Sequence, residues 1–528
     1  MSARAQYKTL PAVKTDLSLK IDGNLDDEAW KQAPVATAFV QNFPNFGLPA
    51  STRTEVRILY DNTAIYIGAY LYDDPSLIRK QITARDEENQ QDADFFSVFF
   101  DTYNDQQNGF QFLVTPSNVQ TDAKLTPTAN PGFREFGDKT WDAVWIGRTQ
   151  IKKDGWVVEM RIPYISLRFS KKDVQTWGLQ FLRFTRRDNE TSYWNPVDPN
   201  INGFVNQFGK YQDLKDITPP LRLSFSPYVT GGVRFNPEGS RKETEGLRNG
   251  GMDVKYGINE SFTLDATLIP DFGQVVSDNV INNLSPFEVR FQENRPFFTE
   301  GTELFNKSGL FYSRRIGSTP GGYFNVEDLV ANDPNLQVVR NPSITQLYNG
   351  IKFSGRTKKK LGIGIFNAVA APMKARLRNL ALNKDTLIET EPLSNYNIIV
   401  LDQALNGRSS ITFTNANVQR HGPGRDANVT AFDWSLYTKD NNYRFAGTGR
   451  YSKIFGYTPY NGAINLIYDT ITRDGKMYVK PYDGFNTTVQ FSKVNGKVRY
   501  YLGNNITANT YDPNDLGYLQ TANQVNYT

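Results

Sequence analysis

After Pro219-Pro220 the chain falls into stretches of about ten residues in which apolar and polar side chains alternate, and that period of two decides what it can fold into. "LRLSFSPYV" sets Leu221, Leu223, Phe225 and Val229 against Arg222, Ser224 and Ser226. "MDVKYGI" repeats the pattern with Met252, Val254, Tyr256 and Ile258. "FTLDATL" sets Phe262, Leu264, Ala266 and Leu268 against Thr263, Asp265 and Thr267. Phe432, Trp434 and Leu436, then Tyr443, Phe445 and Tyr451 against Arg444 and Arg450, then Val498, Tyr500 and Leu502 continue it. Alternation alone suits a soluble sandwich equally well; the connections discriminate. Short turns at 258–261, 355–361, 405–409, 438–442 and 494–497 interleave with long connections at 235–250, 270–346, 371–395, 419–427, 454–484 and 503–515. Short–long alternation is the habit of outer-membrane barrels, whose short turns are periplasmic. The expected fold of 219–528 is therefore an antiparallel transmembrane β-barrel, with Phe262, Leu264, Leu268, Phe432, Trp434 and Leu436 facing lipid. Two runs, 396–405 and 410–418, have a poor apolar face. The sequence stops at "DLGYLQTANQVNYT" within what reads as a strand, so the barrel is expected to be incomplete at its C-terminus.

Upstream, 16–218 is β-rich in a different way. "STRTEVRILYDNTAIYIGAYLYD" (51–73) holds two alternating runs about the turn signal Asp61-Asn62, "DFFSVFFDT" (94–102) pairs with "GFQFLVTPSN" (109–118), and 141–164 is a hairpin turning at Asp154-Gly155. Many short strands at regular spacing predict a β-sandwich. "DDEAWKQA" (26–33) is the best short helix. Together the two regions make an all-β chain, and its 528 residues, too many for one core, suit two units. No apolar run approaches the ~18 residues of a membrane helix. A net charge of +4 without a basic stripe argues against nucleic acid. There is no cysteine, and the single histidine, His421, sits in a loop-like stretch, which removes thiolate and His-rich sites. Ala3-Arg4-Ala5 has the form of a secretory cleavage site, so 1–15 reads as an export-signal remnant and lead-in.

One stretch breaks the pattern. "SPFEVRFQENRPFFTEGTELF" (285–305) carries Phe287, Phe291, Phe297, Phe298 and Phe305 with no clean period. Five phenylalanines exposed together would make a large apolar patch. The segment 270–346 is therefore expected to be plug-like, packed on the inner wall or rim of the barrel, with Glu293 and Arg295 as a fixing ion pair. Counting turns outward from 258–261 places the start of the barrel, and with it 1–218, in the periplasm.

"KIDGNLDDEAW" (20–30), "TEVRILYDNTAIYIGAYLYD", "DADFFSVFFDTYNDQQNGFQFLVTPSNVQTDA" and "WDAVWIGRTQIKKDGWVVEMRIPYISLRF" resemble the family 9-like carbohydrate-binding domain. "IPDFGQVVSDNVINNLSPFEVRFQENRPFFTEGTELF" and "LFYSRRIG" resemble the outer-membrane barrel domain of unknown function 5916 that follows it in many proteins. The resemblance implies an outer-membrane location and, through the first domain, glycan binding. It carries no catalytic assignment.

A sugar site needs flat aromatic faces and planar polar groups. Trp145 and Trp156 lie inside the hairpin and read as core, and Trp177 is a further aromatic. Trp141, Tyr193 and Trp194 sit in polar, loop-like settings and are the candidates, with Arg186, Arg187 and Asn195, and Arg183 beside them, as polar helpers. Asp92, Asp94, Asp101 and Asp105 cluster about one strand; solvated surface acids are the favoured reading, and the resemblance to family 9-like modules, which can hold calcium, makes these carboxylates its candidate ligands. Glu288, Glu293, Glu300 and Glu303 are the carboxylates of a rival, glycoside hydrolase reading. The expected function is non-enzymatic: glycan binding, handling or uptake at the envelope, with oligo- or polysaccharide and outer-membrane lipid as partners and no nucleic acid. The alternatives are that hydrolase, with an accessory binding module, or an assembly partner of other envelope proteins.

Overall fold

The computed structural model describes residues 7–528 apart from 88–91, 126–136, 140, 170–171, 219–222, 237–242, 260, 271–281, 285–286, 292, 294, 300–302, 358, 406, 423–424, 460–467 and 474. Ala3-Arg4-Ala5, Pro219-Pro220, Leu221, Arg222 and Glu300 lie outside the described residues.

In the first half, some strands are buried on both faces, as Phe95–Asp101 is, and others present two unlike faces. Ala64–Tyr72 buries Ile65, Ile67, Ala69 and Leu71 on its inner face and turns Tyr66, Gly68, Tyr70 and Tyr72 to the other. It is the central strand of a sheet ordered Val35–Ala36, Thr54–Tyr60, Ala64–Tyr72, Gly155–Pro163, Ile146–Lys152. The facing sheet runs Thr9–Pro11, Gly209–Lys215, Val174–Thr185, Phe95–Asp101, Gly109–Val114, Gln120–Leu125, with Glu190–Tyr193 bridging Val174–Thr185 and Val40–Phe43. Between the sheets, Val56, Ile58, Ile67, Phe96, Val98, Phe112, Trp156, Val158 and Trp177 make one core, each large side chain contributing ~1.5–3 kcal/mol by leaving water. The hairpin at Asp154-Gly155 depends on its glycine. Gly155 has φ +152°, and a Cβ there would lie 2.2 Å from the Leu71 carbonyl oxygen. The expected helix at 26–33 is a single 3₁₀ turn, Glu28–Gln32. "KIDGNLDDEAW" closes over a buried acid. The backbone amides of Asp22 and Gly23 (2.9 and 2.8 Å) and the Trp30 indole (3.0 Å) all donate to the carboxylate of Glu159.

The second half is one antiparallel sheet of twelve strands: Leu223–Asn236, Glu243–Gly257, Phe262–Leu268, Leu347–Arg356, Leu361–Ala370, Ser394–Ala404, Ser410–Arg420, Asp426–Tyr437, Tyr443–Phe455, Tyr482–Lys493, Tyr500–Thr507 and Gln524–Tyr527. Its two edge strands, Leu223–Asn236 and Gln524–Tyr527, do not pair with each other among the described residues, so the sheet is open and does not close into a barrel. Two expected long connections are not loops. Leu223–Asn236 and Glu243–Gly257 stay in register out to Asn236 opposite Glu243, and 419–427 shrinks to the residues between Arg420 and Asp426. The connection 371–395 folds as the hairpin Met373–Asn379 and Lys384–Glu391, which pairs with Leu336–Arg340, and the helix Tyr323–Asn332 packs Val326 against Ala375 and Leu377. No described helix is long and apolar enough to cross a membrane, which says nothing of strands.

The two faces of the sheet differ. One carries exposed Leu268, Ile365, Ile399, Leu401, Phe413, Phe432, Leu436, Phe445, Phe485, Val489 and Phe491. The other is covered by the aromatic segment: Phe298, Leu304, Phe305, Leu310 and Phe311 pack on Phe366, Ala368, Tyr396, Ile398, Val400, Ala416 and Val429. The approach is close enough to need glycine. A Cβ on Gly350 would lie 2.7 Å from the Phe297 ring, one on Gly362 2.9 Å from Leu304, and one on Gly364 3.1 Å from Phe305. Residues 508–523 fold back onto the same layer, burying Tyr511 and Leu516.

The sandwich docks on the short-turn edge of the sheet. The Gln107 side chain donates to the Gly407 carbonyl (3.4 Å), the Asn202 amide to the Asn495 side chain (2.7 Å) and the Gly496 amide to the Asn200 carbonyl (3.3 Å). Lys124 of the sandwich meets Glu303 of the aromatic segment at 3.2 Å. Burial would raise the pKa of Glu303, but Lys124 and Arg168 outweigh it and hold the carboxyl down at about 2, so the contact stays charged through the physiological range.

Candidate functional site

A tryptophan binds a sugar only if one ring face is open, and the structure gives these rings to the protein. Trp141 is buried against Phe110 and Phe112, at ring separations of 5.0 and 5.9 Å. Trp194 packs on Phe181 (5.6 Å) and Tyr193 on Phe204 (5.6 Å), both buried. Asn195 is a buried strut that accepts from the Lys8 amide (2.9 Å) and donates to the Gln207 carbonyl (2.7 Å).

The arginines belong to an ion-pair network at one end of the sandwich. Arg187 binds Asp73 at 2.7 Å, Arg183 reaches the other oxygen of Asp73 at 2.8 Å while fully buried, and Arg186 lies 3.9 Å from Asp92. Asp94 accepts the Arg186 and Arg79 backbone amides, and burial pushes its pKa up to about 6. The four aspartates read as calcium ligands are not brought together. Asp92 and Asp94 precede the strand Phe95–Asp101, whereas Asp101 and Asp105 lie at its far end, about 20 Å away along the extended chain. Asp101 is occupied by the amides of Asp105 and Gln106, and Asp105 by those of Gln107 and Asn108. No group of three or more ligating side chains occurs among the described residues, so the set does not fit the ion.

The described carboxylates of the aromatic segment, Glu288, Glu293 and Glu303, are each committed to a cation. Glu288 is bidentate with Arg315 (2.8 and 2.7 Å). Glu293 is bidentate with Arg295 (2.8 and 2.7 Å), and Arg295 also donates to the carbonyls of Ile316 and Ser313. Glu303 holds Lys124.

Flat, half-exposed rings beside planar polar groups occur elsewhere, on the outer face of the sheet built on Ala64–Tyr72. Tyr70 and Tyr72, two apart on one strand, stack at 4.5 Å and 28°. The Arg53 guanidinium lies 4.8 Å over the Tyr72 ring and pairs with Glu55, which stands directly opposite Tyr70. The Tyr70 hydroxyl donates to Asp154 at 2.5 Å; burial first, and that hydrogen bond second, push its pKa up to about 12, which keeps it protonated and donating. The pair gives a ring a flat surface, with guanidinium, carboxylate and phenol at its margin for hydroxyls. A Tyr-x-Tyr run on a period-two strand was the available signal, and it reads equally as ordinary strand propensity.

Residues 219–528 match the family described as Domain of unknown function (DUF5916), and residues 21–210 match the family described as Carbohydrate family 9 binding domain-like. No curated protein matches the chain. Similar solved structures include a carbohydrate binding module family 9 from Caldicellulosiruptor kristjanssonii in complex with cellotriose, 21% identical over 39% of this chain and 93% of that one, TM-score 0.28. The same organism's module in complex with glucose is 20% identical over 40% of this chain and 100% of that one, TM-score 0.29.

Proposed function

The chain belongs to the family described as Domain of unknown function (DUF5916), and from that membership and the geometry above we propose that it is a saccharide-binding protein of the outer membrane, with its sandwich on the periplasmic side. The observation that carries the membrane reading is the pair of unlike faces on the twelve-stranded sheet: an exposed apolar face outside, and a plugged face with paired charges inside. Inner-wall Asp402 illustrates the pairing, held by Lys307 at 2.7 Å and by Arg356 at 2.5 Å. The sidedness rests on the short turns, which share one edge with the sandwich. Protease added to intact cells is expected to spare 7–218 until the outer membrane is permeabilised; cleavage there beforehand would place the sandwich outside.

The saccharide reading rests on the match of residues 21–210 and on the Tyr70–Tyr72 pair. The role that fits both halves is glycan handling or uptake at the envelope. Isothermal titration of the detergent-solubilised chain against plant and cell-wall oligosaccharides tests it. Tyr72→Ala should weaken binding about tenfold, the equivalent of ~1.4 kcal/mol, with the melting temperature unchanged because the ring is half-exposed. Heat from no sugar in the panel would leave the sandwich a docking module.

A further inference from the structure

A chamber of about 980 Å³ opens where the sandwich meets the short-turn edge of the sheet. Two guanidiniums converge in it. Arg408 lies 4.8 Å over the ring of Tyr437, and Arg444 approaches the same ring to 6.0 Å. Each is held by neutral groups alone. Arg408 donates to the Asn202 carbonyl at 2.5 Å; Arg444 donates to the Ser435 hydroxyl at 2.9 Å and to the Gln490 side-chain oxygen at 3.2 Å. Neither forms an ion pair with a carboxylate among the described residues.

Acids line the chamber too, Asp138 among them, and three are turned to other partners. Glu303 takes Lys124 (3.2 Å), Asp433 accepts from Thr448 (2.7 Å) and from Ser308, and Asp198 accepts the Asn200 amide of its own loop (2.8 Å). Burial and the neighbouring Arg444 both work against the charge on Arg408, while Tyr437 eases it only in part. Two like charges brought together in a part-buried space, without a counter-charge, favour an anion that the protein itself does not supply. Beside apolar side chains and a third arginine, Arg499, the wall offers amides and hydroxyls from Asn42, Thr412, Thr488 and Gln490, groups that hydrogen-bond a polyol.

We propose that Arg408 and Arg444 form an anion subsite, and that the saccharide this protein takes between sandwich and sheet is an acidic one, bearing a carboxylate or sulfate. The proposal rests on the saccharide-binding reading, assigns a site separate from the Tyr70–Tyr72 pair, and names the class of ligand that this site takes. The edge of Tyr437 carries the ring of the sugar, and the two guanidiniums clamp the acid group.

The test is isothermal titration of the full chain in detergent micelles with oligogalacturonate and with its methyl ester of equal length. The acid should bind at least tenfold tighter than the ester, with an advantage that shrinks as salt rises, and inorganic sulfate should compete with it. Arg444→Gln should erase the difference and leave the ester's affinity unchanged. Arg444 is the deciding variant because Arg408 also anchors the sandwich through Asn202; Arg408→Gln is the supporting one. Equal affinity for acid and ester, or an unchanged ratio in Arg444→Gln, overturns the subsite while the saccharide reading stands. Binding of neither sugar overturns both. Tighter binding of an acidic peptide than of the acidic sugar also overturns the proposal and reassigns the chamber to a protein partner.

Discussion

Replacing Arg295 by alanine is expected to destabilise the protein by about 3–5 kcal/mol, read as a fall in the urea midpoint of the detergent-solubilised chain. Arg295 is 5% exposed. It satisfies both oxygens of Glu293 and the carbonyls of Ile316 and Ser313, and lies 4.2 Å over the ring of Phe298. Burial alone would raise the pKa of Glu293; the bidentate Arg295 outweighs it and holds the carboxyl below its ordinary value. Removing the guanidinium takes away that compensation and strands two carbonyls in an apolar layer. The loss also falls on Phe298, which packs beside Phe366 of the sheet (6.2 Å), so the plug should detach from the wall as well as weaken. Arg295→Lys keeps the charge but not the fork, and should recover only part of the stability. A midpoint unchanged by Arg295→Ala would mean that the pair is solvated and the segment is held by its phenylalanines alone.

How far such details could be read beforehand depends on whether a property is local. Period-two alternation is local, and strands such as Phe262–Leu268 and Leu361–Ala370 follow it. Whether a ring is covered is not local. Trp141 stands in the polar stretch "KTWDAVW", yet Phe110 and Phe112 come from a strand some thirty residues earlier to bury it. Tyr70 and Tyr72 show the converse: a strand assignment hides that one of its faces is open. The aspartates failed for a geometric reason. Nearness in sequence is nearness in space around a turn, but an extended strand carries its ends apart at about 3.3 Å per residue. The connection 419–427 looked long because His421, Gly422, Pro423 and Gly424 look like loop, but pairing outside that stretch carries the ladder close to the tip. The chamber was illegible for a stronger reason, since its walls come from the sandwich, the plug and four strands that only tertiary contact unites.

The same strands explain why 396–405 and 410–418 showed a poor apolar face, and the explanation makes a prediction about the membrane. Along the outer face, Ile363, Leu401, Phe413 and Phe432 stand in one cross-strand row. Four residues further along each strand, about 13 Å, the row is Asn367, Asn397, Asn417 and Asn428. Asn367 donates to Asn397 at 2.8 Å and to Asn395 at 2.6 Å, Asn417 donates to the Ala427 carbonyl at 3.5 Å, and Asn428 donates to Asn415 at 3.2 Å. An apolar row bounded by an asparagine row is what a lipid belt ending at the headgroups requires, because amides in hydrocarbon would cost several kcal/mol each. If the outer face lies in lipid, Phe432→Arg should cost about 2–4 kcal/mol of stability in vesicles, and Asn428→Arg about 0–1. A water-exposed sheet would treat the two alike, each within about 0.5 kcal/mol. Urea titration of both variants in vesicles of matched thickness reads the difference directly. Equal costs, or a full chain that stays monodisperse without detergent, would remove the membrane from this face and leave its phenylalanines as the surface on which another protein sits.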